Sequence, residues 1–268
     1  MASDAIPWFD YPRRMWRLRY FCLSLVQKDL RARYRNSMLG IGWSLLRPMA
    51  MTAVLCAVFS TVFHTSVAEY IPFLLIGLTT WQFFVECTSV GCNSYFQAAA
   101  YMRQAPIPLA VFPLRTVLAA GVHNLIALAV GLVFTGLFRG FPSGVALLYL
   151  LPALVLCACL GWALAILCGV ANTHFTDIQQ LLEIGIQILF YLTPVLYPPE
   201  SLQDRHHLAF LLRWNPMSHL LAVVRTPILN GVAASMEDYL IAVGFTLLTA
   251  GLAWLALRKL ERRLVFWI

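Results

Sequence analysis

The side chains able to do chemistry in this sequence are few and scattered. Six histidines (His64, His123, His174, His206, His207 and His219) lack the spacings that gather a zinc ion, and no H-E-x-x-H run occurs. The adjacent pair His206–His207 reads as a surface feature. No G-x-S-x-G elbow presents a serine nucleophile. No two aspartates are neighbours, as a magnesium-holding cluster of a polyprenyl-type transferase requires. A phosphate loop of the form G-x-x-x-x-G-K-[ST] is also missing, since the two lysines, Lys28 and Lys259, follow Gln27 and Arg258. The chain therefore has no site of that kind for ATP. Two acids, Glu86 and Glu183, fall inside apolar runs. An ionisable group near the bilayer centre is what a proton- or sodium-coupled carrier uses. Glu86 reads as mid-span and Glu183 as nearer the cytoplasmic end, and a hydrogen-bonded structural acid fits a lone central carboxylate at least as well.

The elements that must position these groups are apolar and long. Of 268 residues 60% are hydrophobic and 12% charged, with mean hydropathy +0.75. Soluble domains carry about 25% charged residues, so the bilayer has to be the solvent for much of this chain. The seven cysteines (22, 56, 87, 92, 157, 159 and 168) include no C-x-x-C pair and read as small core residues. The start, MASDAIPWFDYPRR, lacks the basic-then-apolar order of a cleaved signal. About 20 apolar residues cross a ~30 Å core. Six runs reach that length: Pro48–Val67, Ile71–Gln97, Leu109–Phe138, Val145–Ala171, Ile178–Tyr197 and Tyr239–Leu257.

Charge orients the spans. The net charge is +7, and nine basic residues precede the first span while Arg258, Lys259, Arg262 and Arg263 follow the last. With Arg103 and Arg115 they make 15 of the 19 basic residues, leaving Arg139, Arg205, Arg213 and Arg225 outside. The positive-inside rule then places both termini in the cytoplasm, and basic flanks suit anionic headgroups rather than nucleic acid. Residues 1–47 form a cytoplasmic N-terminus with an amphipathic interface helix. On its wheel Arg17, Ser24, Lys28, Arg31 and Arg35 oppose Cys22, Leu23, Val26 and Leu30. Arg19, Asp29 and Arg33 blur the apolar face, and packing on a partner protein accounts for the same pattern. Residues 48–257 form a six-span, all-α transmembrane domain, and 258–268 a cytoplasmic C-terminus. Between them, 198–231 is punctuated by Pro198, Pro199, Pro216 and Pro227 and reads as short re-entrant helices at a pore mouth.

Three segments resemble one family, the permease subunits of ABC-type polysaccharide exporters (O-antigen, capsule or teichoic acid). The first is KDLRARYRNSMLGIGWSLLRP, Lys28–Pro48. The second is RQAPIPLAVFPL, Arg103–Leu114, with Pro108 and Pro113; its Ala105-Pro106 departs from the bulkier pair usual in the family. The third runs from FTDIQQLL through YLTPVLYPPE to RWNPMSHL, where Phe175, Asp177, Pro194, Tyr197, Pro198, Asn215 and Pro216 match. The resemblance covers the whole length. It implies a transporter subunit with no catalytic site or cofactor of its own, in a bacterial inner membrane. It also implies a homodimer with two copies of an ATP-binding-cassette ATPase, which would hold ATP and magnesium, and a lipid-linked glycan as substrate.

On that resemblance the cytoplasmic loop 98–108 docks the ATPase through Tyr101, Arg103 and Gln104, with Asp177 on the same side; a plain connector is the alternative. Sugars stack on aromatic rings, so Phe59, Phe63, Phe190 and Tyr191 are candidate channel linings, although lipid-facing rings account for any one of them. Trp43, Tyr70, Trp81 and Tyr197 read as interface anchors. Arg35 and Arg47 bracket Leu39-Gly40, and their forked donors suit the pyrophosphate of the carrier lipid. Anchoring to membrane headgroups explains the same two arginines. Two other readings stay open: a permease for a small apolar substrate or drug, and a membrane enzyme of lipid-linked sugar assembly.

Overall fold

The computed structural model describes residues 10–35, 37–63, 65–105, 107–199, 210 and 212–267. The pair His206–His207, together with His64, Pro106 and residues 1–9, lies outside the described residues. The described chain is helical throughout: α1 Tyr11–Arg17, α2 Arg19–Tyr34, α3 Trp43–Val62, α4 Val67–Cys92, α5 Ser94–Gln104, α6 Val111–Arg139, α7 Gly144–His174, α8 Ile178–Leu192, α9 Pro216–Leu229 and α10 Met236–Trp267. Five of them are long and apolar enough to cross a membrane: α3 with its leading 3₁₀ turn, α4, α6, α7 and α10.

Local chemistry explains where the helices stop. Ser66 and Ser143 cap α4 and α7, their hydroxyls accepting from the Glu69 and Ala146 amides. Asn215 does the same for α9 from the Met217 amide, with Pro216 pre-set at the first position. Gly140 ends α6 at φ +92°, which a residue with a Cβ adopts only under strain. Pro48 does not begin α3 but lies in its second turn, where its missing N–H frees only the Ser44 carbonyl.

The expected fifth span is the main departure. The apolar run Ile178–Tyr197 forms a helix of 15 residues that ends at Leu192. At 1.5 Å per residue it covers about 22 Å, short of a bilayer core. Within the segment 98–108, residues 98–104 are helix, because α5 continues from α4 after a single turn residue, Asn93.

Packing is densest where side chains are smallest. Along α7 the buried residues Ala153, Cys157, Gly161, Ala165 and Gly169 recur every fourth position and face α4. A Cβ on Gly91 would sit 2.8 Å from the Ala165 Cα, and one on Gly169 would sit 2.9 Å from the Gly91 carbonyl oxygen. Between helices in lipid, dispersion from such close approach replaces the hydrophobic drive. Six of the seven cysteines are buried, Cys87 and Cys157 in this central core. By contrast α3 exposes Leu46, Met51, Val54, Val58 and Val62, and α8 has no buried residue at all.

Gly91→Ala should therefore lower the melting temperature of the detergent-solubilised chain, at a cost of about 1–3 kcal/mol of overpacking. Gly121→Ala, with nothing within 4 Å of the added carbon, should leave it unchanged or raised. Equal melting temperatures for the two would show that the α4–α7 approach is not tight.

Candidate functional site

Two polar constructions occupy opposite ends of the bundle. At one end α2 lies against α6 and α4, and the charges that blurred its apolar face are the ones it turns inward. Asp29 pairs with Arg115 of α6 at 3.0 Å. Arg33 forms a forked pair with Glu86 of α4, at 2.6 and 3.1 Å. Cys22, Leu25 and Val26 bury beside them, whereas Leu23, expected on the apolar face, is exposed. The face of α2 thus rests on this chain's own helices, with charge pairs inside it. Glu86 is accordingly tied to α2 near the C-terminal end of α4. Glu183 is exposed and accepts from Gln179 at 3.2 Å. Neither acid is an enclosed ion carrier.

The Asp29–Arg115 pair is unequal. The Arg115 side chain is 6% exposed and Asp29 36%. Burial pushes the Asp29 carboxyl above its ordinary value, and the opposing pull of Arg115 and then Lys28 does not cancel that push. The 3.0 Å contact from Nε lacks hydrogen-bond alignment, so attraction without a good hydrogen bond is consistent with desolvation prevailing. Arg115 also donates to Gln97 of α5 at 2.6 Å. Beside this pair, the Tyr34 hydroxyl, Ser44 Oγ and His123 Nδ1 meet within 3.0 Å and join α2, α3 and α6.

The sequence-derived docking residues gather at this same end. Tyr101 is half-buried, held by the Lys28 ammonium at 3.2 Å and by the Phe21 ring edge-on at 5.8 Å. Arg103 and Gln104 are exposed on the last turn of α5. Asp177 is exposed at the start of α8, and Asn93 donates to Gln179 at 2.8 Å, fastening the α4–α5 junction to that helix. Arg35 and Arg47 are both exposed around the turn at Gly40, which adopts φ +51°.

The four aromatic residues expected to line a channel do not converge. Phe59 and Phe63 stack at 5.9 Å and continue through Tyr70 to Phe73, packing with Leu196, whereas Phe190 and Tyr191 pair with each other at 5.4 Å. Phe190 packs on Trp81 at 5.7 Å. Tyr191 is exposed on α8 beside Leu181, Ile184 and Ile188. Two expected interface anchors are core residues instead: Tyr70 is 0% exposed and Trp81 7%. Each has a specific use inside the protein, and periodicity alone does not distinguish that from a belt.

The use of Tyr70 is at the other end of the bundle. After Leu192 the chain leaves the helix at Thr193 and turns through Pro194, Val195 and Leu196, releasing carbonyls that α8 no longer bonds. Four are taken up by side chains from elsewhere. Asn215 donates to the Leu192 carbonyl at 3.3 Å and to Thr193 Oγ1 at 2.9 Å. Arg225 of α9, 6% exposed, donates to the Pro194 and Val195 carbonyls at 2.5 and 2.8 Å. The Tyr70 hydroxyl donates to the Leu196 carbonyl. The guanidinium lies 3.8 Å over the Phe73 ring and occupies the space left by Gly77, where a Cβ would fall 1.7 Å from Nη2. Sequence reading counted Arg225 only as outer charge; its spacing of ten from Asn215 carries no signal of a shared target.

The described part of the segment 198–231 is largely one buried helix. Its helix α9, 14 residues long, buries Met217, Leu220, Leu221, Val223, Val224 and Ile228. It packs into the core of α4, α7 and α10. His219 is buried too, between the Asp238 carboxylate at 2.7 Å and the Arg213 carbonyl at 2.9 Å.

Five helices long and apolar enough to cross a membrane, with a broken helix held by buried donors, fit a membrane transport protein. Comparison with known proteins agrees: the chain belongs to the ABC-2 type transporter family, whose model matches residues 20–229. It is a multi-pass membrane protein. It is similar to the O-antigen export system permease protein RfbA of Klebsiella pneumoniae, 26% identical over 231 residues, 85% of this chain and 88% of the relative. The RfbA of Myxococcus xanthus is 28% identical over 210 residues, covering 78% and 80%. The polysialic acid transport protein KpsM of Escherichia coli is 24% identical over 233 residues, covering 84% and 88%.

Two outcomes are expected of this site. An ionised carboxyl whose folded pKa is raised costs stability, fully above that value and less as pH falls through it. Arg115→Leu removes what offsets that cost, so its melting deficit should shrink as pH drops from about 8 to about 5. Asp29→Ala strands a guanidinium that cannot shed its proton, and should cost about 1–3 kcal/mol, discounted for partial exposure, at every pH. A pH-independent deficit for Arg115→Leu would contradict the account. At the opposite end, Arg225→Ala and Gly77→Ala should each cost about 2–4 kcal/mol by stranding the same carbonyls. The double variant should cost little more than either alone in detergent unfolding, whereas additive costs would mean the two do not act on one clamp.

Proposed function

We propose that this chain is the channel-forming subunit of an ATP-driven exporter that moves a lipid-linked polysaccharide across the bacterial inner membrane. The reading is supported most directly by α8. Gln180, Glu183 and Gln187 continue from Gln179 as a polar stripe on this helix, adjoining the exposed stripe Leu181, Ile184, Ile188 and Tyr191. Lipid rejects such a stripe, and a water-filled path accepts it. A permease for a small apolar molecule has no use for three hydrated side chains along its passage. The named relatives, which match over most of their length, carry the names of O-antigen export and polysialic acid transport proteins.

On this reading α8 and the turn residues after it make a sixth crossing, and both termini are cytoplasmic. Two copies of the chain bring the exposed faces of α3 and α8 together around the path. Two ATPase subunits press on α5 through Tyr101, Arg103 and Gln104, and on the α7–α8 turn at Asp177. Force on α5 reaches α2 through Tyr101–Lys28, α6 through Gln97–Arg115 and α8 through Asn93–Gln179. The carrier pyrophosphate meets Arg35 and Arg47. Phe190 and Tyr191 are nearer the path than Phe59 and Phe63, since α8 carries the polar stripe.

Deleting the chain should cause lipid-linked glycan to accumulate on the cytoplasmic face, and restoring it should clear the glycan only with an ATPase able to hydrolyse ATP. Arg103→Ala with Gln104→Ala should lower recovery of the ATPase with the purified permease by roughly tenfold, the effect of losing a contact hot spot. Replacing Arg35 and Arg47 together by alanine should impair export without loss from the membrane. Glycan export that persists with an inactive ATPase would overturn the coupling.

A further inference from the structure

A cavity of about 360 Å³ opens beside the carbonyl clamp, between the first turns of α4, the last turn of α6, the residues after α8, and α9. Its volume falls in the range of small-ligand sites, about 300–1,000 Å³. None of the residues derived above as docking, channel or headgroup contacts lines it.

Its chemistry is mixed in a particular way. Pro194, Pro198 and Pro199 contribute donor-free apolar surface. Thr226 and Asn230 add neutral polar groups, and Ser218, whose enclosed hydroxyl has no hydrogen-bond partner among the described residues, belongs to the same lining. At the mouth stand Glu69 and Arg139, 3.8 Å apart and both substantially exposed. That separation exceeds a hydrogen bond, so the acceptor and the donor fork both keep capacity for a ligand. A carboxylate beside a guanidinium suits neighbouring hydroxyls, each of which can donate to one and accept from the other. The carboxylate also repels an anion that the arginine alone would attract. Apolar surface, neutral polar groups and a self-compensated charge pair together match an uncharged sugar ring.

We propose that this cavity is an exit-side subsite that holds a neutral sugar residue of the glycan. It rests on the export reading above, which puts this end of the bundle outside. The cavity follows directly on the end of α8, where the Tyr197 hydroxyl donates to the Tyr191 carbonyl at the end of the exposed stripe. A sugar leaving that stripe meets the cavity next. Holding one residue there opposes backsliding of the chain between strokes of the ATPase.

The test uses cells exporting their own glycan through the complete transporter. A benzophenone amino acid replacing Leu229 in the cavity wall should, on illumination, give a permease band that stains for carbohydrate by periodate oxidation. The same group at Leu248, exposed on α10, should not. Thr226→Trp, which fills the cavity, and Glu69→Gln, which keeps its shape, should slow export by about tenfold and about threefold, with complex assembly retained. Export with a bare Leu229 adduct and normal rates in Glu69→Gln would overturn the subsite and leave the export function standing. An adduct carrying lipid phosphate without carbohydrate would overturn it in favour of a headgroup site. Absence of export by the unsubstituted chain would remove the functional reading itself.

Discussion

A backbone that stops being helical within an apolar medium releases carbonyl groups that no water can satisfy, and the rest of this structure is arranged around that constraint. The chain breaks after Leu192, and donors arrive from three places: Tyr70 on α4, Asn215 at the start of α9, and Arg225 within α9. Each orphaned carbonyl would cost about 1–3 kcal/mol, so no one of these elements moves without exposing another. Gly77 exists as glycine because the guanidinium fills the place of its side chain, and Phe73 covers the charge from one face. The arginine is deeply buried, and two carbonyl dipoles and an aromatic ring offset part of the cost.

The opposite end solves a different problem, that of fastening a basic helix to an apolar bundle. Buried ion pairs add little net stability against hydrophobic replacements, but removing one partner is expensive. The pairs Asp29–Arg115 and Arg33–Glu86 therefore act chiefly to select one seat for α2. Arg33 and Asp29 sit four residues apart on one face and meet partners on two different helices, which excludes a sliding register. A single seat matters because α2 also holds Tyr101 on α5 through Lys28 and Phe21.

Much of this was legible in the sequence. Apolar runs gave α3, α4, α6 and α7 to within about five residues and the start of α10 to within about three, because twenty consecutive apolar residues have few other uses. Failures came where a residue's partner is far away in sequence. Asp29 and Arg33 looked like flaws on a wheel, since a wheel shows one helix and their partners lie on α6 and α4. Tyr70 and Trp81 looked like interface anchors, since amphipathic rings serve equally to hydrogen-bond or pack inside. Glu86 looked mid-span because α4 and α5 read as one run, and the single turn at Asn93 carries no proline or glycine to mark it. Of the candidate site, Pro194 and Asn215 were visible within the family-like motif. The clamp was not, because Arg225 has no local feature separating it from surface charge.

The two constructions differ in what they allow to move. The carbonyl clamp joins α4, α8 and α9 through short bonds to backbone, which tolerate little displacement before they break. The contacts at the other end are mostly side chain to side chain, on long and partly exposed residues such as Lys28, Arg33 and Gln97, which tilt without breaking. On the proposed function, a push delivered at α5 is absorbed as rotation near α2 and α5, with the clamped end as the fixed point. The helix best placed to swing is α8, tethered by Asn93–Gln179 at one end and by the clamp at the other, with no buried residue between. On the proposed function that is the helix bearing the polar stripe, so the least restrained element is also the one that faces the moving chain.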